Sequence, residues 1–467
     1  MICRQTLLNV ALLLGLSPML ALAASPDEQS STRRPSPAET AAERGYRLLT
    51  EKAYIPEADF DQETFDNVWR VWPEPLRSEA EKATPDERRA MAFSRYGLTT
   101  RPGDDSGKPL QYVVDERGDW TMNCFACHGG KLQGKTLPGL PNSHFALQTL
   151  TEEIRETKVR MQKKLTRMDY GSLVIPLGNT NGATNAVMFG VVLLAYRDKD
   201  LVVHTDRPMP KMVHHDMDAP AWWHFRRKRQ IYIDGFAEKG HRPLMQFMLV
   251  KENGPEKFMH DWDDEFRDIY AYLESLEPPR NPHKVDDQLA AEGKIAFEAH
   301  CARCHGTYGE DGSYPEVNVP LKEIGTDPVR YHALSPEGRA HYGQSWFGRY
   351  GESNTIDRPP GYVAPPLDGV WASAPYLHNG SVPTLWHLLH PDGRPQVWRR
   401  SENGYDTDRV GLQVETFDAL PDEVRDAKER RTYFDTSRFG MSNAGHTFPD
   451  ELDESQKRAV LEYLKTL

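Results

Sequence analysis

The pentapeptide Cys-x-x-Cys-His occurs twice, as Cys124-Phe125-Ala126-Cys127-His128 and as Cys301-Ala302-Arg303-Cys304-His305. This is the spacing of c-type haem attachment. Two thiols three residues apart on one helical turn meet the two vinyl groups on one edge of the porphyrin, and each forms a thioether. The next residue projects under the iron, so its imidazole becomes a ligand without a loop having to close. Two other chemistries use related patterns. Zinc ribbons place their cysteine pairs about 15 to 20 residues apart, far closer than positions 124 and 301. A thioredoxin-like pair wants a βαβ setting and has no use for the trailing histidine. Two covalent haem c groups are therefore expected, one on Cys124, Cys127 and His128 and one on Cys301, Cys304 and His305.

The start of the chain agrees with that chemistry. Arg4 precedes an apolar run from Leu7 to Leu16 and the small residues of Ala21-Leu22-Ala23-Ala24, the layout of a secretory signal peptide over residues 1–24. An apolar stretch counted through Pro18 to Ala24 would be the alternative, an uncleaved membrane anchor. Either way the folded part faces the far side of the membrane. A periplasmic location, with no stable membrane insertion after cleavage, is expected. Cys3 falls in the removed segment. The other four cysteines would by default suggest disulfides in an exported protein, but the histidine after each pair redirects them to haem. Residues 25–40, rich in Ser, Pro, Arg and Glu, read as a disordered lead.

At 467 residues the chain exceeds one ordinary domain, and 34 glycines with 35 prolines predict long irregular connections. Segments 266–276 and 456–467 repeat each other, each an amphipathic helix with an aromatic residue before leucine. In cytochrome c domains a last helix of this kind crosses the first one beside the haem. Between the repeats, Pro278-Pro279-Arg280-Asn281-Pro282 stops any helix. The spacing predicts a first cytochrome c-like domain over 111–280 and a second over 285–467, the latter opening with a helix at 288–297 that runs into the second motif. Ahead of them, a helical pattern at 41–54 and short helices broken by turns such as Trp72-Pro73-Glu74-Pro75 predict a helical lead-in over 41–110, packed on the first haem domain. Apolar runs in the insertion 171–248, such as 187–195, leave strand and helix both open. The expected fold class is mainly α.

The stretch Ala364-Pro365-Pro366-Leu367-Asp368-Gly369-Val370-Trp371-Ala372-Ser373-Ala374-Pro375-Tyr376-Leu377-His378-Asn379-Gly380-Ser381-Val382-Pro383-Thr384-Leu385 resembles the segment after the second haem in the dihaem cytochrome c peroxidase superfamily. Its Tyr-Leu-His-Asn-Gly-Ser-Val-Pro variant, with Cys304-His305-Gly306-Thr307-Tyr308 and Gly325-Thr326-Asp327-Pro328, is nearest to the branch containing the dihaem rubber oxygenases. The resemblance spans roughly residue 95 to the end. It implies a division of labour: one electron-transfer haem with two protein ligands, and one haem whose open position handles peroxide or dioxygen.

The resemblance also implies site residues. His446, in Ser442-Asn443-Ala444-Gly445-His446 just before the last helix, is the expected sixth ligand of the second haem; Met441 is the rival and His378 a third candidate. A cap or surface role is the plain alternative for His446. For the first haem, His144, Met188, Met209, Met212, His214, His215 and Met217 are all in range, and the iron on His128 is expected to be five-coordinate or to bind water. A bis-histidine state is the rival, because His214 and His215 are expected on a Met-rich, exposed loop. Ala221-Trp222-Trp223-His224, followed by Tyr232-Ile233-Asp234-Gly235, is similar to a region that puts a tryptophan between the haems, so Trp222 and Trp223 are either electron-transfer residues or interface packing. A calcium ion between the domains occurs in some relatives. The expected function is oxidoreductase chemistry on peroxide, dioxygen or an organic substrate, with a small electron-carrier protein as partner. A pure electron carrier with both irons six-coordinate, and dioxygen-dependent cleavage of an organic substrate, are the alternatives. The net charge of −12 disfavours nucleic acid as a partner and would steer a basic carrier protein, although an ordinary soluble surface also has such a charge.

Overall fold

Four helices frame the molecule, a computed structural model that describes residues 39–467. The expected signal peptide (1–24) and the lead up to residue 38 lie outside the described residues. Helix α1 (Ala41–Glu51) begins where Thr40 and Glu43 each bond the other's backbone N–H, which satisfies two otherwise orphan donors. Helix α2 (Asp263–Ser275) buries Phe266, Ile269, Tyr272 and Leu273, a stripe at helical spacing. Helix α3 (Asp287–His300) is capped by the Asp286 carboxylate, which accepts from Leu289 N–H. Helix α4 (Glu454–Leu464) buries Ala459, Val460, Leu461, Tyr463 and Leu464.

These helices pack as two pairs, α1 on α2 and α3 on α4. Each crossing has a glycine at its closest approach. A Cβ on Gly45 would strike the Asp268 carbonyl oxygen, and a Cβ on Gly293 would strike that of Ala459. Glycine is needed at both points because the backbones meet with no room for a side chain. Helix α1, placed by the sequence reading at the head of a lead-in over 41–110, is thus the packing partner of α2 near residue 270.

Two aromatic cores follow from the two pairs. One gathers Leu49, Phe125, Trp222, Phe266, Ile269, Tyr272 and Leu273; the other gathers Trp223, Phe297, Trp371, Val460, Leu461 and Leu464. A further core joins Phe65, Trp69, Trp72, Phe93 and Tyr96 to Trp120, Phe145, Leu150 and Ile154, so residues 60–98 are built into the same body as those after 111. Within it the fully buried Glu153 carboxylate receives Arg95 at 2.6 Å and the Tyr96 hydroxyl at 2.6 Å, partners that a buried charge requires.

Strands are short apart from an antiparallel sheet of β1 (Val397–Asp406), β2 (Gly411–Phe417) and β3 (Tyr433–Asp435), in the order β2-β1-β3. Trp398, fully buried, stacks on Phe434 with ring centroids 5.0 Å apart. The apolar run 187–195 forms a helix, Ala186–Ala195. Ten residues without a proline, with Gly190 the one weak point, exceed the usual length of a short buried strand, and length decides between the two when periodicity does not. The chain as described is helix-rich, in agreement with the expected mainly α class. Among the described residues no helix is long and apolar enough to cross a membrane.

Candidate functional site

Both Cys-x-x-Cys-His motifs lie on single helical turns, Phe125–His128 and Ala302–His305, with Cys124 and Cys301 at the N-caps. The second turn follows α3 directly, since Cys301 is also the C-cap of that helix. Cys124, Cys127, Cys301 and Cys304 are all free of disulfides. The two histidines share one device. His128 Nδ1 is 3.0 Å from the Pro220 carbonyl oxygen and His305 Nδ1 is 2.9 Å from that of Pro365. A carbonyl can only accept, so Nδ1 has the proton and Nε2 has the lone pair that a metal needs. Burial pulls the His128 imidazole down to about 4 and also lowers His305, which keeps both rings neutral, the form that coordinates.

Opposite His305 stands His446, with ring centroids 6.2 Å apart. Two imidazoles on opposite faces of one metal have a definite spacing. A metal–nitrogen bond is about 2 Å, and a five-membered ring with bonds of about 1.35 Å puts its centroid about 1.1 Å from each nitrogen. Together these give a centroid separation of about 6.2 Å. The pair therefore has the separation of two axial ligands. His446 Nδ1 is buried and makes no hydrogen bond among the described residues, and burial pulls this imidazole down to about 3. A buried polar atom without a partner is rare enough to require a reason.

The backbone that delivers His446 is specialised. Gly445 and His446 both adopt positive φ, 79° and 49°, a region that costs a non-glycine residue energy. A Cβ on Gly445 would strike the Gly325 backbone, and His446 N–H donates to the Ile324 carbonyl at 2.6 Å. Asn379 Nδ2 donates to the Ser442 carbonyl at 2.9 Å, and Asp327 accepts from Ser442 N–H at 3.1 Å. The rival candidates are engaged elsewhere. Met441 is 1% exposed in the second core, with its sulfur 3.9 Å from Thr180 Oγ1. His378 lies against Tyr362, with ring centroids 4.5 Å apart and the planes tilted by 43°.

His128 differs in the ring beside it. Its ring contact is with Trp222, stacked at 4.6 Å and 23°. Most residues considered as its sixth ligand contact other groups. His214 Nδ1 meets Asn185 Nδ2 at 3.0 Å and His144 Nδ1 lies 3.3 Å from Ser143 Oγ, whereas His215 Nδ1 meets the Val213 carbonyl at 2.7 Å and its buried Nε2, like Nδ1 of His446, makes no hydrogen bond among the described residues. Met188 is fully buried, with its sulfur accepting from Val213 N–H at 3.1 Å. Met212 packs beside it, Met217 pairs with Thr184 in a short strand, and Met209 is surface-exposed. The expected exposed loop at 214–215 is corrected: His215 is 1% exposed. The segment is drawn inward because the Asp216 carboxylate accepts the N–H groups of Asn179 and Thr180.

The adjacent tryptophans belong to different cores. Trp222 packs in the first and Trp223 in the second. Trp223 Nε1 donates to the Asp368 carbonyl at 2.7 Å, and His224 Nε2 approaches the same oxygen at 2.9 Å. Three residues back along the chain is Pro365, whose carbonyl holds His305. A covalent and hydrogen-bonded track thus runs from His128 through Pro220, Trp222, Trp223 and Asp368 to Pro365 and His305. The sequence reading found both tryptophans but missed the carbonyl acceptors, because a backbone oxygen leaves no residue-type signal. For calcium, no group of three or more His, Cys, Asp or Glu side chains that could hold a metal ion occurs among the described residues.

A family model described as RoxA-like, cytochrome c-like matches residues 361–399. This supports a cytochrome c-like protein that binds haem covalently. The matched segment contains Pro365, Asp368 and Asn379, which hold the surroundings of His305 and of the loop that bears His446. Two curated relatives come from Sinorhizobium fredii (strain NBRC 101917 / NGR234). "Uncharacterized protein y4iM" is 30% identical over 236 residues, with 42% of this chain and 53% of that protein covered. "Uncharacterized protein y4iJ" is 30% identical over 258 residues, with 41% of each covered. The chain spans about half the length of the curated relatives it matches.

Proposed function

We propose that the protein is an exported dihaem c-type cytochrome that works as an oxidoreductase in the periplasm. Electron transfer belongs to the Cys301–Cys304–His305 site, and reduction of peroxide or dioxygen to the Cys124–Cys127–His128 site. The observation that supports this division is the asymmetry of the two histidines: His305 has a second imidazole at axial spacing, and His128 has Trp222 beside it. On this reading the chain holds two cytochrome c-like units, built on the α1–α2 and α3–α4 pairs.

Haem c would supply one-electron chemistry at each site and, at the first, the redox chemistry that reduces peroxide or dioxygen. The chain's own residues do the rest. His305 and His446 would hold one iron from both faces, a geometry that changes little between oxidation states. His128 would hold the other from one face, and its bond to Pro220 fixes the ring against rotation. Phe125 and Trp222, both buried, keep water from the proximal side. Trp222 and Trp223 link the two histidines through the Pro220 and Asp368 carbonyls. Reduction of one peroxide takes two electrons and two protons and releases two waters, so a small electron-carrier protein is the partner class required.

The RoxA-like match favours a second reading in the same class, dioxygen-dependent cleavage of an organic substrate. The two readings part in one assay series on the purified protein. Peroxide-dependent oxidation of a reduced small c-type cytochrome supports the first. Dioxygen uptake with a polyisoprene latex, without that donor, supports the second. If neither occurs and carbon monoxide binds to neither reduced iron, the protein is an electron carrier and the enzyme reading is wrong.

A further inference from the structure

His446 is held in a backbone conformation that histidine disfavours, and one side chain clamps the loop that imposes it. Arg394 Nη1 donates to the carbonyls of Asn443 at 2.6 Å and Gly445 at 2.7 Å; Nη2 reaches the His446 carbonyl at 3.4 Å. On its other side Nε donates to the His387 carbonyl at 3.1 Å, and Nη2 to that of Leu388 at 3.3 Å. The last two carbonyls lie at the end of the short helix Leu385–Leu389. One planar guanidinium thus ties the ligand loop to a buried helix through five backbone oxygens, an arrangement that a lysine cannot reproduce.

The division of supports is informative. Asn379 and Asp327 hold the Gly440 and Ser442 end of the loop, whereas Arg394 is the side chain that holds the end that includes His446, beside the backbone bond from His446 N–H to Ile324. Among the described residues Arg394 forms no ion pair, so its whole donor set is committed to carbonyls. Free of such a clamp, Gly445 and His446 would relax from positive φ toward ordinary backbone, and the imidazole would swing away from His305.

We propose that Arg394 is the positioning residue that keeps His446 in register with His305 and so keeps the second site closed to added ligands. This rests on the reading of His446 as the sixth ligand. The test uses the full chain matured with both haems and compares the parent with Arg394→Ala, Arg394→Lys and His446→Ala. Three quantities are measured: haem content by mass, spin state by electron paramagnetic resonance, and the number of reduced irons that bind carbon monoxide.

Arg394→Ala is expected to keep both haems, convert much of the low-spin signal of the second site to high spin, and raise carbon monoxide binding from one iron to both. Arg394→Lys is expected to fall between it and the parent. Added guanidinium ion, well below denaturing concentration, is expected to restore low spin to the alanine variant. An unchanged low-spin signal in Arg394→Ala, with His446→Ala altered, overturns the clamp alone. An unchanged signal in His446→Ala overturns the ligand reading and the clamp with it. If the alanine variant does not accumulate, the lysine variant and Arg394→Gln decide on the same readouts.

Discussion

The two histidine sites begin alike and end differently. Each follows two cysteines on one helical turn, each orients its Nδ1 toward a proline carbonyl, and each motif packs in a core with a glycine-crossed helix pair. In the ring each one meets they diverge. His305 faces a second imidazole that a left-handed loop holds in place through several hydrogen bonds, whereas His128 stacks on a tryptophan. On the proposed reading, attachment chemistry would be common to both sites, and reactivity would be set by what the rest of the chain brings near each histidine. An iron with both positions filled exchanges electrons with little rearrangement, and an iron with one position open can take an oxygen ligand.

The comparison can be broken at several levels. Replacing Cys301 and Cys304 by alanine should remove one whole haem, halving the alkaline pyridine haemochrome absorption per chain while the first site keeps its spectrum; retention of both haems would refute the shared attachment. His446→Ala should leave both haems attached and turn the second site alone from low to high spin, and a change at the first site instead would reverse the assignment of roles. Gly293→Val places a side chain against the Ala459 carbonyl and should lower stability by about 2–3 kcal/mol through overpacking, read from denaturant midpoints; Gly45→Val should cost a similar amount, and unequal costs would show that the two helix pairs are not equivalent supports. Trp223→Phe removes the bond to Asp368 and should slow electron exchange between the sites roughly tenfold, about 1.4 kcal/mol of barrier, as followed by flash photolysis of the half-reduced carbon monoxide complex. An unchanged rate would reduce Trp223 to packing.

Much of this was legible in the sequence, for identifiable reasons. The attachment motifs declare themselves because thioether chemistry fixes residue type and spacing together. The terminal helices of the two pairs show as a repeat because both bury one face beside a leucine. The partner of the helix at 263–275 was harder to find: Ala41–Glu51 lies more than two hundred residues upstream, and its glycine looks unremarkable until the Asp268 carbonyl is seen against it. His446 could be proposed by resemblance, but the loop that bears it is held by Arg394, Asn379 and Asp327, which the chain order spreads over 67 positions upstream (394 − 327). The loop at 214–217 looked exposed because its methionines and histidines have no period. Asp216 and Asn185 turn it inward by bonds to backbone that no local pattern reveals.

The central claim is that the two irons differ in their sixth position. Electron paramagnetic resonance of the resting, oxidised, full-length protein tests it most directly. The account predicts one low-spin signal of the bis-imidazole type, lost in His446→Ala, beside one high-spin signal that persists. Two low-spin signals in the parent protein would contradict it.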